Sequence, residues 1–452
     1  MSYSLIKVYR NNRNGLIQHN HFQVDKNMDQ RYAIKKLPFW LFIGLLGLFI
    51  VTVSEAQIIK SYSVKIDSSC QNDAGLAVIT ADKLPYLLGQ QNGKLSLYTV
   101  YQQQWRAVVF QIDHKDPQGR YIITPENDKH SDHKSVLGRL DELVFRKQDL
   151  GQRLSADSEM ASQFTLLEVE VQAAQNEPSR WLYINIDPVF NKNNNKVQSL
   201  LMYDEQQDVI ISPIYKTGFS RSQPFLMDSF HWQLSEASAW SVDISDMMKI
   251  RHKGKFLGLP FKRSHADYSS QLVGVKKGPL RVIRRTENRV KVFWKLKTPA
   301  LYIDYIMMPD GFVMDTMIDI PFKISFFFSH LETLTTMDWN HTADLPTFTI
   351  HSDRDALDLP VNGRQTADKN AFNQIIDSRF SVSSSMGRFD VNLEVPDDFP
   401  VQATLFLNDA LQEPDPPENF PGQFGNVGFK TTGWEKIDSR LHHLKFIVCM
   451  KK

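Results

Sequence analysis

The stretch that most constrains this chain runs from Pro279 to Ile320, where the segments LRVIRR, RVKVFWKLK, LYIDYIMM and FVMDTMIDI alternate apolar and polar residues. Period-two alternation puts successive side chains on opposite faces, so the stretch is read as an antiparallel meander with one buried face. Its turns are expected at Thr286–Asn288 and at Pro309-Asp310-Gly311, the latter as a three-residue hairpin loop. That register sets Met308 opposite Phe312 and Asp304 opposite Thr316, which points Asp304 away from Asp315 and Asp319. It also pairs Leu280 with Trp294, Val282 with Val292 and Arg284 with Val290 on the apolar face. The other face then carries Arg281, Arg285, Arg289 and Lys291 around Ile283 and Phe293, with Arg285 opposite Arg289. Like charges set face to face cost stability, so something negative is expected there.

Charge along the chain is uneven although the total is +1. Between Lys249 and Lys297 there are 15 Lys/Arg against 2 acids, and between Thr298 and Phe420 there are 6 against 20. A near-neutral total argues against a dedicated nucleic-acid binder. Two partners fit the basic strip. Arg281, Arg285, Arg289 and Lys291 beside Phe293 could grip an anionic glycan, guanidinium forks on carboxylate or sulfate. Alternatively, the acid-rich half that follows could fold onto the strip and neutralise it.

Residues Leu37 to Val53, LPFWLFIGLLGLFIVTV, form an uncharged apolar run behind Arg31, Lys35 and Lys36 and ahead of Ser54-Glu55-Ala56. These are the parts of a secretory signal, with cleavage expected after Ala56; starting at Met28 gives it an ordinary length. Starting at Met1, the same run reads as an uncleaved anchor. Either way the rest is expected to be periplasmic, secreted or exported on an anchor. The two cysteines, Cys70 and Cys449, could then form one disulfide joining the chain's ends, or remain buried thiols.

Residues 1–56 are read as this leader, 57–211 as a first β-sandwich and 212–452 as a second carrying the basic meander. The fold class is all-β: short strands rich in Val, Ile, Tyr and Thr recur at close spacing, without long amphipathic helices. Within the first unit, Phe110-Gln111-Ile112-Asp113, Gly119-Arg120-Tyr121, Asp141-Glu142-Leu143-Val144-Phe145 and Asp149-Leu150-Gly151 resemble a group of exported bacterial β-sandwich proteins. The resemblance covers roughly forty residues and implies fold and compartment, not a reaction. His114, Asp116, Gln118 and Gly119 stand where an acidic calcium loop would need more carboxylates, and no metal or cofactor is called for. Asp128, His130, Asp132 and His133 are read as a solvated loop.

The chain has no G-x-S-x-G elbow, phosphate loop, dinucleotide fingerprint or H-E-x-x-H, so the usual hydrolase, NTPase and zincin readings lose support. Scattered candidates remain before the meander: His231, His252, His265, Asp267 and Tyr268. Uronate lyases need a cation for the sugar carboxylate and a His or Tyr to take and return protons. Mutarotases need a His/carboxylate pair over an aromatic floor, which His265, Asp267 and Trp294 could supply. Lys277-Gly278-Pro279-Leu280-Arg281-Val282 resembles the glycine-proline start of a strand in mutarotase-like sandwiches. The sequence therefore favours a non-catalytic envelope protein binding an anionic glycan or another envelope protein, with a lyase or mutarotase-like enzyme as the alternative.

Overall fold

The computed structural model describes residues 58–66, 70, 75–123, 136–155, 166–172, 178–186, 199–234, 239–342, 344–414 and 422–452. The leader, the Asp128–His133 loop and the asparagine-rich loop lie outside them. The described chain is all-β, with one short helix, Ala367–Phe372. No helix among the described residues is long and apolar enough to cross a membrane.

A five-stranded sheet (Ile58–Lys65, Leu166–Gln172, Arg180–Asn185, Ser96–Tyr101, Gln104–Val108) accompanies a three-stranded one (Leu76–Thr80, Glu142–Arg146, Phe110–Asp113). Leu97, Leu143, Phe145, Val169 and Ile184 form their shared core. A four-stranded sheet follows, and its strand Val209–Ile211 pairs with Tyr215–Phe219, so the division expected at Ile211 falls within a hairpin. Two larger sheets complete the fold. One is five-stranded, in the order Leu259–Ser264, Ser245–Phe256, Phe328–Trp339, Asn426–Thr432, Gln402–Asn408; the other is ten-stranded and begins at Tyr268–Lys277.

The meander is present, but its first turn and its register differ from expectation. Thr286-Glu287-Asn288 is not a loop: Val282–Phe293 is one 12-residue strand, lying between Tyr268–Lys277 and Leu301–Met308. Arg285 therefore faces Asp304 across the ladder, not Arg289. The turn comes later, at Trp294-Lys295, where Phe293 pairs with Leu296. At the second turn Met308 pairs directly with Gly311, leaving a two-residue loop. Losing one loop residue slips the register by one and flips every later side chain. Asp304 consequently stands opposite Asp315 and shares its face, contrary to the sequence reading. Gly311 is required by close approach: a Cβ there would lie 2.2 Å from the Val448 carbonyl oxygen and 3.2 Å from Cys70 Sγ.

Within the long strand the alternation itself holds. Val282, Val290 and Val292 are buried, whereas Arg289, Lys291 and Phe293 are exposed. Near its start the outer face is covered too. Ile283, Ile306, Met308 and Val313 pack against Leu76, Tyr121 and Val144 of the N-terminal strands. Cys70 and Cys449, 379 residues apart, are joined in a disulfide beside this contact.

Candidate functional site

The basic strip is largely neutralised from within, in part by the acid-rich stretch that follows it and in part by upstream acids that were not expected. Arg281 is 3% exposed and pairs with Asp113 at 2.5 Å and with Glu142. Gln111 completes the junction. Its Oε1 accepts from the backbone N–H of Leu280 and Arg281, and its Nε2 donates to both Asp113 carboxylate oxygens. Burial works to raise the Asp113 and Glu142 carboxyls, but the Arg281 guanidinium, with Lys276 or Lys115, holds both below their ordinary values. The FQID and DELVF motifs are thus the socket for Arg281. Gly278 belongs to it as well, since a Cβ there would sit 2.0 Å from Gln111 Oε1. His114 and Asp116, in the same region, serve local structure: His114 Nδ1 lies 2.6 Å from Asp141, and Asp116 accepts from the Gln118 and Arg120 backbones.

Arg285 makes a bidentate pair with Asp304, at 2.7 and 2.6 Å. Arg289 pairs with Glu287 at 3.0 Å. Arg284, read as the basic edge of an apolar face, is fully buried on Asp208. The partners come from both directions: Asp113, Glu142 and Asp208 lie upstream, Glu287 is a strand neighbour, and the acid-rich stretch supplies Asp304 to Arg285 and Asp338 to Lys249. Of the five expected ligand residues, only Lys291 and Phe293 keep exposed side chains free of an ion pair with an acid, together with Arg289's outer part.

The catalytic candidates are only partly brought together. His252 Nε2 lies 2.7 Å from the Tyr268 hydroxyl, and His252 Nδ1 lies 2.9 Å from Thr333 Oγ1. Burial pushes the His252 imidazole down to about 4, against a small opposing pull from Asp267, so it is neutral at pH 7. Burial pushes the Tyr268 phenol up. The other three stand elsewhere. His231 sits on Met227–Trp232 with Nδ1 2.9 Å from the Ser241 carbonyl oxygen. His265 is buried in the 3-10 turn His265–Asp267, and the Asp267 carboxylate caps that turn by accepting from Ser264 N–H. Trp294, 77% exposed at a hairpin tip, is no floor for a His/Asp pair. A mutarotase-type constellation of His265, Asp267 and Trp294 is not formed.

What the two large sheets enclose instead is a cavity of about 540 Å³. Ile250, Phe261, Ile303, Met314, Ile318 and Phe446 line it, with Thr316, Thr333 and Thr335 among the few polar groups. His252 and Tyr268 sit on its wall, and Arg289, Leu296, Lys297, Phe322 and Phe327 are at the exposed end. Volumes of roughly 300–1,000 Å³ with predominantly apolar walls are those of small-molecule sites. No sequence signal marked it, because inward-facing residues around a void read the same as residues in a filled core. Among the described residues no group of three or more His, Cys, Asp or Glu could hold a metal ion.

No protein-family model matches the chain, and comparison with curated proteins gives no match. Among solved structures, the crystal structure of an alpha-mannosidase from Enterococcus faecalis is similar over 85% of this chain and 42% of that chain, at 8% identity and a TM-score of 0.38. The chain thus spans less than half of that protein's length, and a likeness this distant carries no argument about the reaction.

Proposed function

We propose that this chain is a non-catalytic binding protein of the cell envelope whose ligand is an apolar or amphiphilic molecule held between the two large sheets. The observation that carries the reading is the apolar cavity of about 540 Å³ with its exposed end at one edge of the sandwich. Export is supported by the Leu37–Val53 run with its basic flank, and by the Cys70–Cys449 bond, which persists in oxidising compartments. The anionic-glycan version loses its main grip, because Arg281, Arg285 and Arg289 are committed to acids. An environment-sensitive apolar dye should bind the purified full chain stoichiometrically, and Ile303→Trp, which fills the cavity, should abolish binding. Dye binding unchanged by Ile303→Trp in a folded protein refutes the reading.

The second reading, a lyase, has one observation in its favour: the neutral His252 hydrogen-bonded to Tyr268, with Arg289 and Lys297 at the cavity's exposed end. A lyase needs that pair to take and return a proton beside a cation. Formation of unsaturated uronate by the wild type, lost in Tyr268→Phe, would establish it.

A further inference from the structure

Three segments meet at the exposed end of the cavity, and none of them contains an acid. They are the hairpin of residues 253–263, the hairpin of residues 289–300 and the connection of residues 320–331. Leu257 N–H donates to the Phe327 carbonyl oxygen at 2.8 Å, the Phe256 and Phe327 rings stack at 6.2 Å, and Arg263 donates to the Lys291 carbonyl oxygen at 2.7 Å. Together they carry nine Lys/Arg and no Asp or Glu. Acids flank the group: Glu287 pairs with Arg289 at 3.0 Å, Glu435 accepts from Leu331 N–H at 3.0 Å, Glu332 lies 3.9 Å from Lys253, and Asp319 ends its strand immediately before the connection.

The tips are also apolar. Leu257, Leu259, Phe293, Trp294, Leu296 and Phe326 are each more than half exposed, with Trp294 at 77% and Phe326 at 71%. Contiguous exposed apolar surface rimmed by charge marks an interaction site. The backbone sharpens the point. Leu257 and Trp294 sit at φ +49° and +44°, left-handed positions that asparagine or glycine normally occupies in tight hairpins. Bulky residues held there are strained, and such strain collects where a surface is functional.

We infer that this end of the sandwich docks onto the surface of an anionic lipid bilayer, with Leu257, Trp294 and Phe326 entering the headgroup region and the lysines pairing with lipid phosphates. Tryptophan and phenylalanine prefer that depth, and basic side chains beside them are drawn to acidic lipid. Nine cations against four flanking acids favour a bilayer over a protein partner, whose interface core would be poor in lysine. The inference goes beyond the cavity's ligand and does not require one, although an acyl chain leaving such a bilayer would meet the cavity directly.

The test is tryptophan quenching in the full chain by vesicles with brominated acyl chains, half phosphatidylglycerol and half phosphatidylcholine, compared with phosphatidylcholine alone. Quenching on the anionic vesicles is read in a Trp40→Phe background, because Trp40 lies in the Leu37–Val53 run and would itself be quenched on insertion, and there it should largely disappear on adding Trp294→Phe. Lys291→Gln/Lys295→Gln/Lys297→Gln should weaken Trp294-dependent binding by about fivefold per lysine, about a hundredfold in all. Leu257→Asn should weaken it too while raising thermal stability, because asparagine relieves the left-handed turn. The proposal is overturned if quenching is independent of Trp294, if it is equal on neutral vesicles, or if the tips bind only a protein partner. Failure of dye binding in the cavity, with Trp294 quenching intact, would overturn the ligand reading alone.

Discussion

Replacing Arg281 by Met tests the junction between the N-terminal motifs and the meander. The change keeps most of the aliphatic stem and deletes the guanidinium that faces Asp113 and Glu142, which are 0% and 7% exposed. Removing one partner of a buried ion pair costs about 3–5 kcal/mol, because the other charge stays buried. Here Lys276 remains 2.7 Å from Asp113, and Lys115 remains on Glu142, so neither carboxylate is abandoned. The expected loss is therefore near the lower end, about 3 kcal/mol. Urea unfolding measures it as a fall in midpoint with little change in slope. Adding Asp113→Asn and Glu142→Gln should recover part of the loss, since in Arg281→Met each buried carboxylate is left with one cation where it had two. The pH dependence gives a second check. Both carboxyls are held below their ordinary values, so their contribution is present above the unfolded carboxylate range and is lost as pH falls through the folded values. Arg281→Met should flatten that acid limb. A loss under about 1 kcal/mol, or an unchanged acid limb, would refute the assignment of Arg281 as the buried linchpin.

Other outcomes follow from the same geometry. Gly278→Ala should cost about 1–3 kcal/mol in the same titration, because its Cβ displaces Gln111 from the Leu280 and Arg281 N–H groups. His252 is held neutral down to about pH 4 while the unfolded imidazole protonates near its ordinary 6.5. Stability should thus fall as pH drops from about 6.5 to 4, by up to about 3 kcal/mol, and His252→Gln should remove that slope. Breaking the Cys70–Cys449 bond with reductant, or by Cys449→Ser, should lower stability by up to about 5 kcal/mol, as expected for so long a closed loop. Thermal melts with and without reductant check this, and equal melting points would count against the bond.

How much was legible depended on whether the physics involved was local. Alternation fixed the all-β class and the inner and outer faces of Val282–Phe293, because a strand's period is a property of the chain next to itself. Loop length was not legible in the same way. Thr286-Glu287-Asn288 carries turn-forming residues but is held extended between two neighbouring strands, while Trp294, a poor turn residue, makes the turn. One residue fewer between Met308 and Gly311 then decided that Asp304 faces Asp315. His252 and Tyr268 were named from the sequence, yet only folding showed that they meet each other and that His231, His265 and Asp267 do not join them.

The chain by itself determined which residues can be strands, which face of each is greasy, and where positive charge is concentrated. Only the tertiary structure decided what that charge meets. Arg281 finds Asp113 and Glu142 from more than a hundred residues away, whereas the lysines at the hairpin tips find no acid of their own among the three segments. The reason is that pairing partners, voids between sheets and exposed tips arise from contacts between residues distant in sequence, and no local pattern encodes them.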